Sequence, residues 1–244
     1  MAPRSPEIRA LGDTALVVEF GSEIDPDVNA QVLALDRRVR AHPDVVETVP
    51  TYRSLLVYYD PLATDFASIS ASLLALANDL SGEATTGRRW RVPVVYGGAF
   101  GIDLDDVAAR HGLTPDEIVR RHAAPTYRVY MIGFLPGFAY LGGLDQTIAT
   151  PRRTSPRLKT PAGTISIGGV QALVASIEAP SGWHLLGRTP VRNFMPGRNP
   201  AVIIEPGDEV RFEPIEAARF DELDREAAAG QIVAEQVPIR AAGA

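Results

Sequence analysis

Beyond Gly169 the chain breaks into short apolar or alternating runs cut by glycine and proline, and this rhythm restricts the fold more than any other feature. Residues 171–177, 184–186, 201–205 and 208–213 read as strands, divided by Pro180-Ser181-Gly182, Pro196-Gly197 and Pro206-Gly207-Asp208. Proline cannot donate to a sheet ladder, and glycine takes the backbone angles of a tight reversal, so each punctuation ends a strand and turns the chain. Many short strands at such spacing predict a closed or nearly closed β-barrel.

The first third has a different order. Residues 14–20 (TALVVEF) read as a strand; Asp25-Pro26 then supplies a cap and a first-turn proline, and Val28, Val32, Leu35 and Val39 fall on one helix face. Strands are expected at 45–49 and 54–59, followed by a second amphipathic helix with Phe66, Ile69, Leu73, Leu76 and Leu80 on its buried stripe. The polar stretch SGEATTG (81–87) has linker composition, and 89–96 reads as a further strand. The order β-α-β-β-α-β suggests a small ferredoxin-like layer. The expected organisation is therefore α+β, with a small ferredoxin-like α/β domain over 1–86 and a β-barrel domain with a C-terminal helix over 87–244.

Two short helices open the second region. One spans 104–111, with Asp103 as its cap and Gly112 as its stop; the other starts at Thr114-Pro115-Asp116-Glu117, a capping box. A DNA-binding helix pair is excluded by Asp103, Asp105, Asp106, Asp116 and Glu117, which would face phosphate. A net charge of −6 and a pI near 5.3 also exclude nucleic acid as the main partner. No run is long enough to cross a membrane, the start MAPRSPEIRA lacks the apolar core of a signal peptide, and a cytoplasmic location is expected. The absence of cysteine removes disulfides, thiolate metal sites and cysteine nucleophiles from consideration. His111 and His122 fall near helix ends, where an imidazolium complements the helix dipole; no third ligand can be placed beside them, so no metal site is expected.

Two stretches carry chemistry. From Gly133 to Gly169 the chain holds seven glycines, four cations (Arg152, Arg153, Arg157, Lys159) and a single acid, Asp145, among Phe134, Leu135, Phe138, Tyr140 and Leu141. Close-approaching backbone, aromatic walls and converging charge suit a groove for an anionic or carbonyl-bearing partner, although a strand-rich core segment would share the pattern. The second stretch, Ser181-Gly182-Trp183-His184-Leu185-Leu186-Gly187-Arg188-Thr189-Pro190, sets an imidazole beside an indole with a guanidinium four residues on. It could polarise an acyl or phosphoryl oxygen; equally, Trp183 could be core and His184 could hydrogen-bond a carbonyl.

The order Gly133-Phe134-Leu135-Pro136-Gly137-Phe138-Ala139-Tyr140-Leu141-Gly142-Gly143-Leu144, then Ala149-Thr150-Pro151-Arg152-Arg153, Pro161-Ala162-Gly163 and 182–190, resembles the allophanate hydrolase subunit 1 family, which includes the Kip-type kinase inhibitor and the B-type subunit of 5-oxoprolinase. Gly12-Asp13-Thr14-Ala15-Leu16, Val49-Pro50-Thr51-Tyr52 and Tyr59-Asp60-Pro61 extend the likeness over nearly the whole chain. The resemblance implies a cyclophilin-like barrel, a second, C-type cyclophilin-like barrel as partner (allophanate hydrolase subunit 2), and a further A-type protein. Together these open 5-oxo-L-proline to L-glutamate at the expense of ATP. With no Gly-x4-Gly-Lys-Ser/Thr loop, the chain is expected to hold no nucleotide by itself and to share Mg-bound ATP with its partner. For such a site the chemistry nominates His184, Lys159 and Arg188 as catalytic groups. Phe138, Tyr140, Arg153 and Gln171, with Gly168 and Gly169, are nominated to bind the small-molecule substrate. A histidine-kinase inhibitor and a carboxyltransferase-like component of a urea carboxylase/allophanate hydrolase system are the other roles that the resemblance allows.

Overall fold

The computed structural model describes residues 6–80 and 87–238; residues 1–5, 81–86 and 239–244 lie outside it, including most of the stretch read as a linker and the extreme start. Two compact units divide the chain, Met1–Thr86 and Gly87–Ala244.

The first unit contains β1 (Glu7–Ala10), β2 (Ala15–Glu19), α1 (Pro26–Val39), β3 (Val45–Pro50), β4 (Ser54–Tyr59) and α2 (Phe66–Asn78). Local sequence sets its helices. Asp25 accepts from the amides of Asp27 and Val28 at the start of α1, and Asp65 accepts from Ser68 at the start of α2. Val32, Leu35 and Val39 of α1 and Ile69 and Leu73 of α2 bury against Leu16, Val18, Leu55 and Val57. The strands form an antiparallel sheet of order β1-β2-β4-β3. Its fourth strand is therefore Glu7–Ala10 and not the expected 89–96, so the order is β-β-α-β-β-α in place of the ferredoxin-like β-α-β-β-α-β. Ile8 pairs with Val18 and supplies the missing edge, which frees 89–96 for the other unit.

The second unit contains β5 (Arg89–Tyr96), α3 (Leu104–His111), α4 (Pro115–Ala123), β6 (Tyr127–Ile132), β7 (Ala139–Gly142), β8 (Arg157–Thr160), β9 (Thr164–Gly168), β10 (Gln171–Val174), β11 (Ala179–Ser181), β12 (His184–Arg188), β13 (Glu209–Pro214), α5 (Ala217–Ala228) and β14 (Glu235–Val237). Pairing runs β12-β9-β10-β7-β6-β13-β5 and returns to β12, so seven strands close a barrel. β14 extends the edge of β5, and β8 with β11 forms a separate ribbon. Residues 201–205 do not form a strand; they join the sheet system only through a bridge between Phe194 and Val202. Asn193 fixes this segment instead, its Oδ1 accepting from the Ile204 amide and its Nδ2 donating to the carbonyl of Gly137.

The barrel interior holds Val92, Val94, Val129, Leu141, Ile165, Ile167, Val174, Leu186 and Phe212, and α3 and α4 add Leu104, Val107 and Ile118 to the same core. The β5–β13 ladder is the one parallel pairing among the described strands, and its starting end is tied by Asp208. This buried carboxylate accepts from the Arg88 amide at 2.8 Å, from Trp90 Nε1 at 2.8 Å and from the Arg88 guanidinium. These partners satisfy a charge that would otherwise be costly to bury. His122 also sits in this core and corrects the expectation of an imidazolium at a helix end. It is fully buried, stacks on Phe212 at 4.8 Å and meets the Tyr96 hydroxyl at 2.8 Å. Burial pushes its pKa down to about 3, so the ring is neutral and belongs to the packing.

Candidate functional site

Asp103 is the residue around which the barrel mouth is built. It precedes α3 but makes no side-chain cap; its carboxylate turns instead toward β12. Oδ2 accepts from the Leu185 amide at 2.8 Å, and the Asp103 amide donates back to the Leu185 carbonyl at 3.0 Å. Arg157 grips the same carboxylate in bidentate fashion at 2.6 and 2.8 Å, while Arg153 reaches Oδ1 at 3.3 Å. Burial alone would raise the Asp103 pKa. The Arg157 hydrogen bonds, the Leu185 amide and the charges of both arginines outweigh burial and hold it below the usual carboxylate range.

Beside this cluster His184 is 1% exposed, and its Nε2 lies 2.9 Å from the carbonyl of Pro151. A carbonyl only accepts, so Nε2 carries the proton and Nδ1 presents a lone pair; that atom is buried with no hydrogen-bond partner. Burial lowers the His184 pKa, partly offset by the Pro151 hydrogen bond and the charge of Asp103. A neutral ring with one unengaged lone pair can accept a hydrogen bond or a proton from any donor brought against it. Next door Thr150 bridges Gly169 through paired backbone hydrogen bonds, and its hydroxyl lies 3.0 Å from His111 Nε2.

On the adjoining surface of β9 and β10, Trp183 packs where a side chain at residue 168 would be. A Cβ there would lie 2.6 Å from the indole, so only glycine fits. The Arg152 guanidinium stands 5.3 Å from the indole centroid, and Tyr140 meets it edge-on at 5.9 Å. Phe138 is buried with Trp183, Leu173, Ala175 and Ala179 in a small separate cluster, so it supports a wall and does not form one. Gln171, paired with Gly168, has a buried Nε2 without a hydrogen-bond partner, and Gly169 turns the hairpin at φ +62°.

The nominated residues thus divide. His184 and Arg153 meet around Asp103; Tyr140, Gln171, Gly168 and Gly169 gather near Trp183. Lys159 and Arg188 do not join them: among the described residues neither makes a hydrogen bond or ion pair with Asp103, Arg153 or His184. Lys159 is 73% exposed and pairs with Glu178 at 3.0 Å on the β8–β11 ribbon. Arg188 is separated by a bulge. His184 pairs with Ile167 but Arg188 with Thr164, three positions away on β9, because Leu186 is an extra residue in β12. Cross-strand partners share a face and successive residues alternate, so His184 and Arg188 point to opposite faces, where a regular strand would have aligned them.

A model of the carboxyltransferase domain, subdomains C and D, matches residues 6–204. The chain belongs to this carboxyltransferase-domain family. It is 37% identical over 219 residues to the B-type subunit of 5-oxoprolinase from Bacillus subtilis (strain 168), covering 84% of this chain and 91% of that protein. With the corresponding 5-oxoprolinase protein of Escherichia coli O157:H7 it shares 38% identity over 207 residues, covering 84% and 94%. The crystal structure of TTHA0988 superposes with a TM-score of 0.75 at 33% identity, covering 86% of this chain and 41% of the longer TTHA0988 chain.

For this carboxyltransferase-family barrel, Asp103 and Arg157 are the site residues that sequence reasoning passed over. A signal existed: no acid occurs between Asp145 and Glu178, so Arg153 and Arg157 had to draw their counter-charge from a distant segment.

Proposed function

We propose that the chain is the B-type subunit of an ATP-dependent 5-oxoprolinase, which converts 5-oxo-L-proline, ATP and water to L-glutamate, ADP and phosphate. The observation that carries this reading is the 37–38% identity along 84% of the chain and over nine-tenths of proteins named as the B-type subunit of 5-oxoprolinase. Such a protein implies companions, and we assign it a C-type cyclophilin-like barrel and an A-type protein, with the assembly in the cytoplasm and this chain inactive alone.

The chemistry explains why a complex is needed. An amide within a stable five-membered ring is a poor electrophile, and activating its oxygen requires positive and hydrogen-bonding groups around the developing charge. This chain offers the buried lone pair of His184, the exposed Arg152 beside Trp183, and an Asp103–Arg153–Arg157 cluster in which two guanidiniums share one carboxylate and leave a net positive charge. These groups form part of a site and leave the nucleophile and the phosphate ligands to the partner proteins. The sole lysine, Lys159, pairs with Glu178 on the surface, which supports a chain that holds no nucleotide by itself and shares Mg-bound ATP with its partner.

The test is to co-purify the chain with its A- and C-type partners and measure ADP and glutamate formation with and without 5-oxo-L-proline. Stimulation that disappears when this chain is omitted is the expected result. An intact complex whose ATP hydrolysis ignores 5-oxo-L-proline overturns the assignment.

A further inference from the structure

Arg188, excluded from the His184 cluster by the bulge in β12, opens on a cavity of its own. The cavity has a volume of about 460 Å³, and Gly163, Ser176, Arg188, Val191, Phe194 and Met195 are among its walls. None of Asp103, Arg153, Trp183 or His184 contributes to it.

Its walls are fixed before any ligand arrives. Gly163 adopts φ +75° at the turn into β9, and a Cβ there would lie 2.3 Å from the Thr189 carbonyl; the close approach lets the Thr189 amide donate to the Gly163 carbonyl at 2.8 Å. Opposite, Phe194 packs on Gly137, and the intervening chain is held by the fully buried Asn193. Ser176 is anchored through its hydroxyl to the Pro136 carbonyl.

The charges on this cavity are paired except at one point. Arg192 meets Asp224 at 3.3 Å, and Glu178 meets Lys159 at 3.0 Å. Arg188 donates through Nε to the Ala162 carbonyl at 3.3 Å, and its guanidinium lies 5.5 Å from the Phe220 ring centroid. Among the described residues no carboxylate pairs with it, and its two Nη nitrogens have no hydrogen-bond partner. A guanidinium held at Nε and over an aromatic ring has its remaining donors in a fixed plane, which matches the two oxygens of a carboxylate. Glu178 and Asp224 at the same cavity oppose a second negative charge, which disfavours a phosphate dianion. Val191, Phe194 and Met195 supply an apolar wall for the rest of the ligand.

We propose that this cavity binds a small monocarboxylate of amino-acid size, with Arg188 on the carboxylate and the apolar wall on the ligand's body. The inference rests on the proposed function only in its first probe, 5-oxo-L-proline, which has these properties; cyclopentanecarboxylate, equal in ring size and lacking the lactam, tests it independently.

Titration calorimetry of the full chain should show both carboxylates binding more tightly than inorganic phosphate. Arg188→Gln should weaken both by at least about tenfold, the loss of a charge-assisted bidentate contact. Met195→Trp, which fills the cavity from a partly exposed wall and leaves Arg188 in place, should weaken them similarly, and this variant keeps the test valid should Arg188→Gln fail to fold. No binding of either carboxylate, unchanged affinity in folded variants, or phosphate binding as tightly overturns the proposal. Oxoproline-stimulated turnover that is unchanged in an Arg188→Gln complex would sink this site and leave the 5-oxoprolinase reading standing. Arg188-dependent binding of cyclopentanecarboxylate beside a complex indifferent to 5-oxo-L-proline would do the reverse.

Discussion

Replacing Asp103 with Asn tests whether the barrel mouth is held by charge. Asn keeps one oxygen, enough for the Leu185 amide and one Arg157 contact, but turns an NH2 toward the donors now served by Oδ1, at 2.6 Å from Arg157 and 3.3 Å from Arg153. Two hydrogen bonds to charged groups are lost, each worth about 1.5–3 kcal/mol. The desolvation of a 1% exposed carboxylate is relieved, and both arginines still reach water, which leaves a net loss of about 3 kcal/mol. The assay is urea unfolding followed by tryptophan fluorescence, because both tryptophans, Trp90 and Trp183, lie in the second unit and report on it alone. With a slope of about 2 kcal/mol per molar urea the midpoint should fall by about 1.5 M at neutral pH. The folded Asp103 titrates below its unfolded value of about 3.9, so its stabilisation is complete above that pH and is lost as pH falls through the folded value. The wild-type and variant midpoints should therefore converge in acid. A neutral-pH shift below about 0.3 M, or a gap that stays constant into acid, would refute the charge-based account.

Further outcomes follow from single residues. His122, neutral when folded with a pKa of about 3, favours the folded state fully above the unfolded value near 6.5 and loses that contribution as pH falls between the two; His122→Gln should flatten this part of the stability–pH curve, and an unaltered slope would assign it elsewhere. Gly168→Ala would drive a methyl into Trp183, costing about 1–3 kcal/mol and shifting Trp183 emission, so an unchanged spectrum and urea midpoint would contradict the packing described. Lys159→Ala, which removes an exposed ion pair, should change stability by less than about 0.5 kcal/mol and leave oxoproline-dependent turnover of the complex intact; a turnover loss of about a hundredfold would restore Lys159 to the catalytic set.

What was legible in the sequence was local. The Asp25-Pro26 start of α1 and the span of α3 with its left-handed stop at Gly112 depend on neighbours a few residues apart. The capping box at Thr114 was half right: Thr114 accepts from the Glu117 amide, but the Glu117 carboxylate turns to Arg120 and Arg121. What sequence could not supply was long-range geometry. An unpaired strand pattern at 89–96 fits either unit, and the competition is decided by Glu209–Pro214, far along the chain. The extra residue at Leu186 leaves no local mark, yet it moves Arg188 to the other face of β12 and splits one expected site into two. Asp103 looked like a helix cap because aspartate before a helix commonly is one; its partners lie on β12 and in the loop and strand around residues 153–157.

The seam at β5 also sets an order on biosynthesis. Arg89 pairs with Glu209, and Gly187 with Tyr96, so a ribosome must deliver residues out to Pro214 before the ring can zip shut. The sheet and helices of residues 6–80 draw their pairings from within themselves and can be complete long before that. Throughout the interval a nascent β5 exposes Val92 and Val94 beside unpaired backbone, which makes this strand the point where a holding chaperone, or another copy of the same unfinished chain, would take hold first.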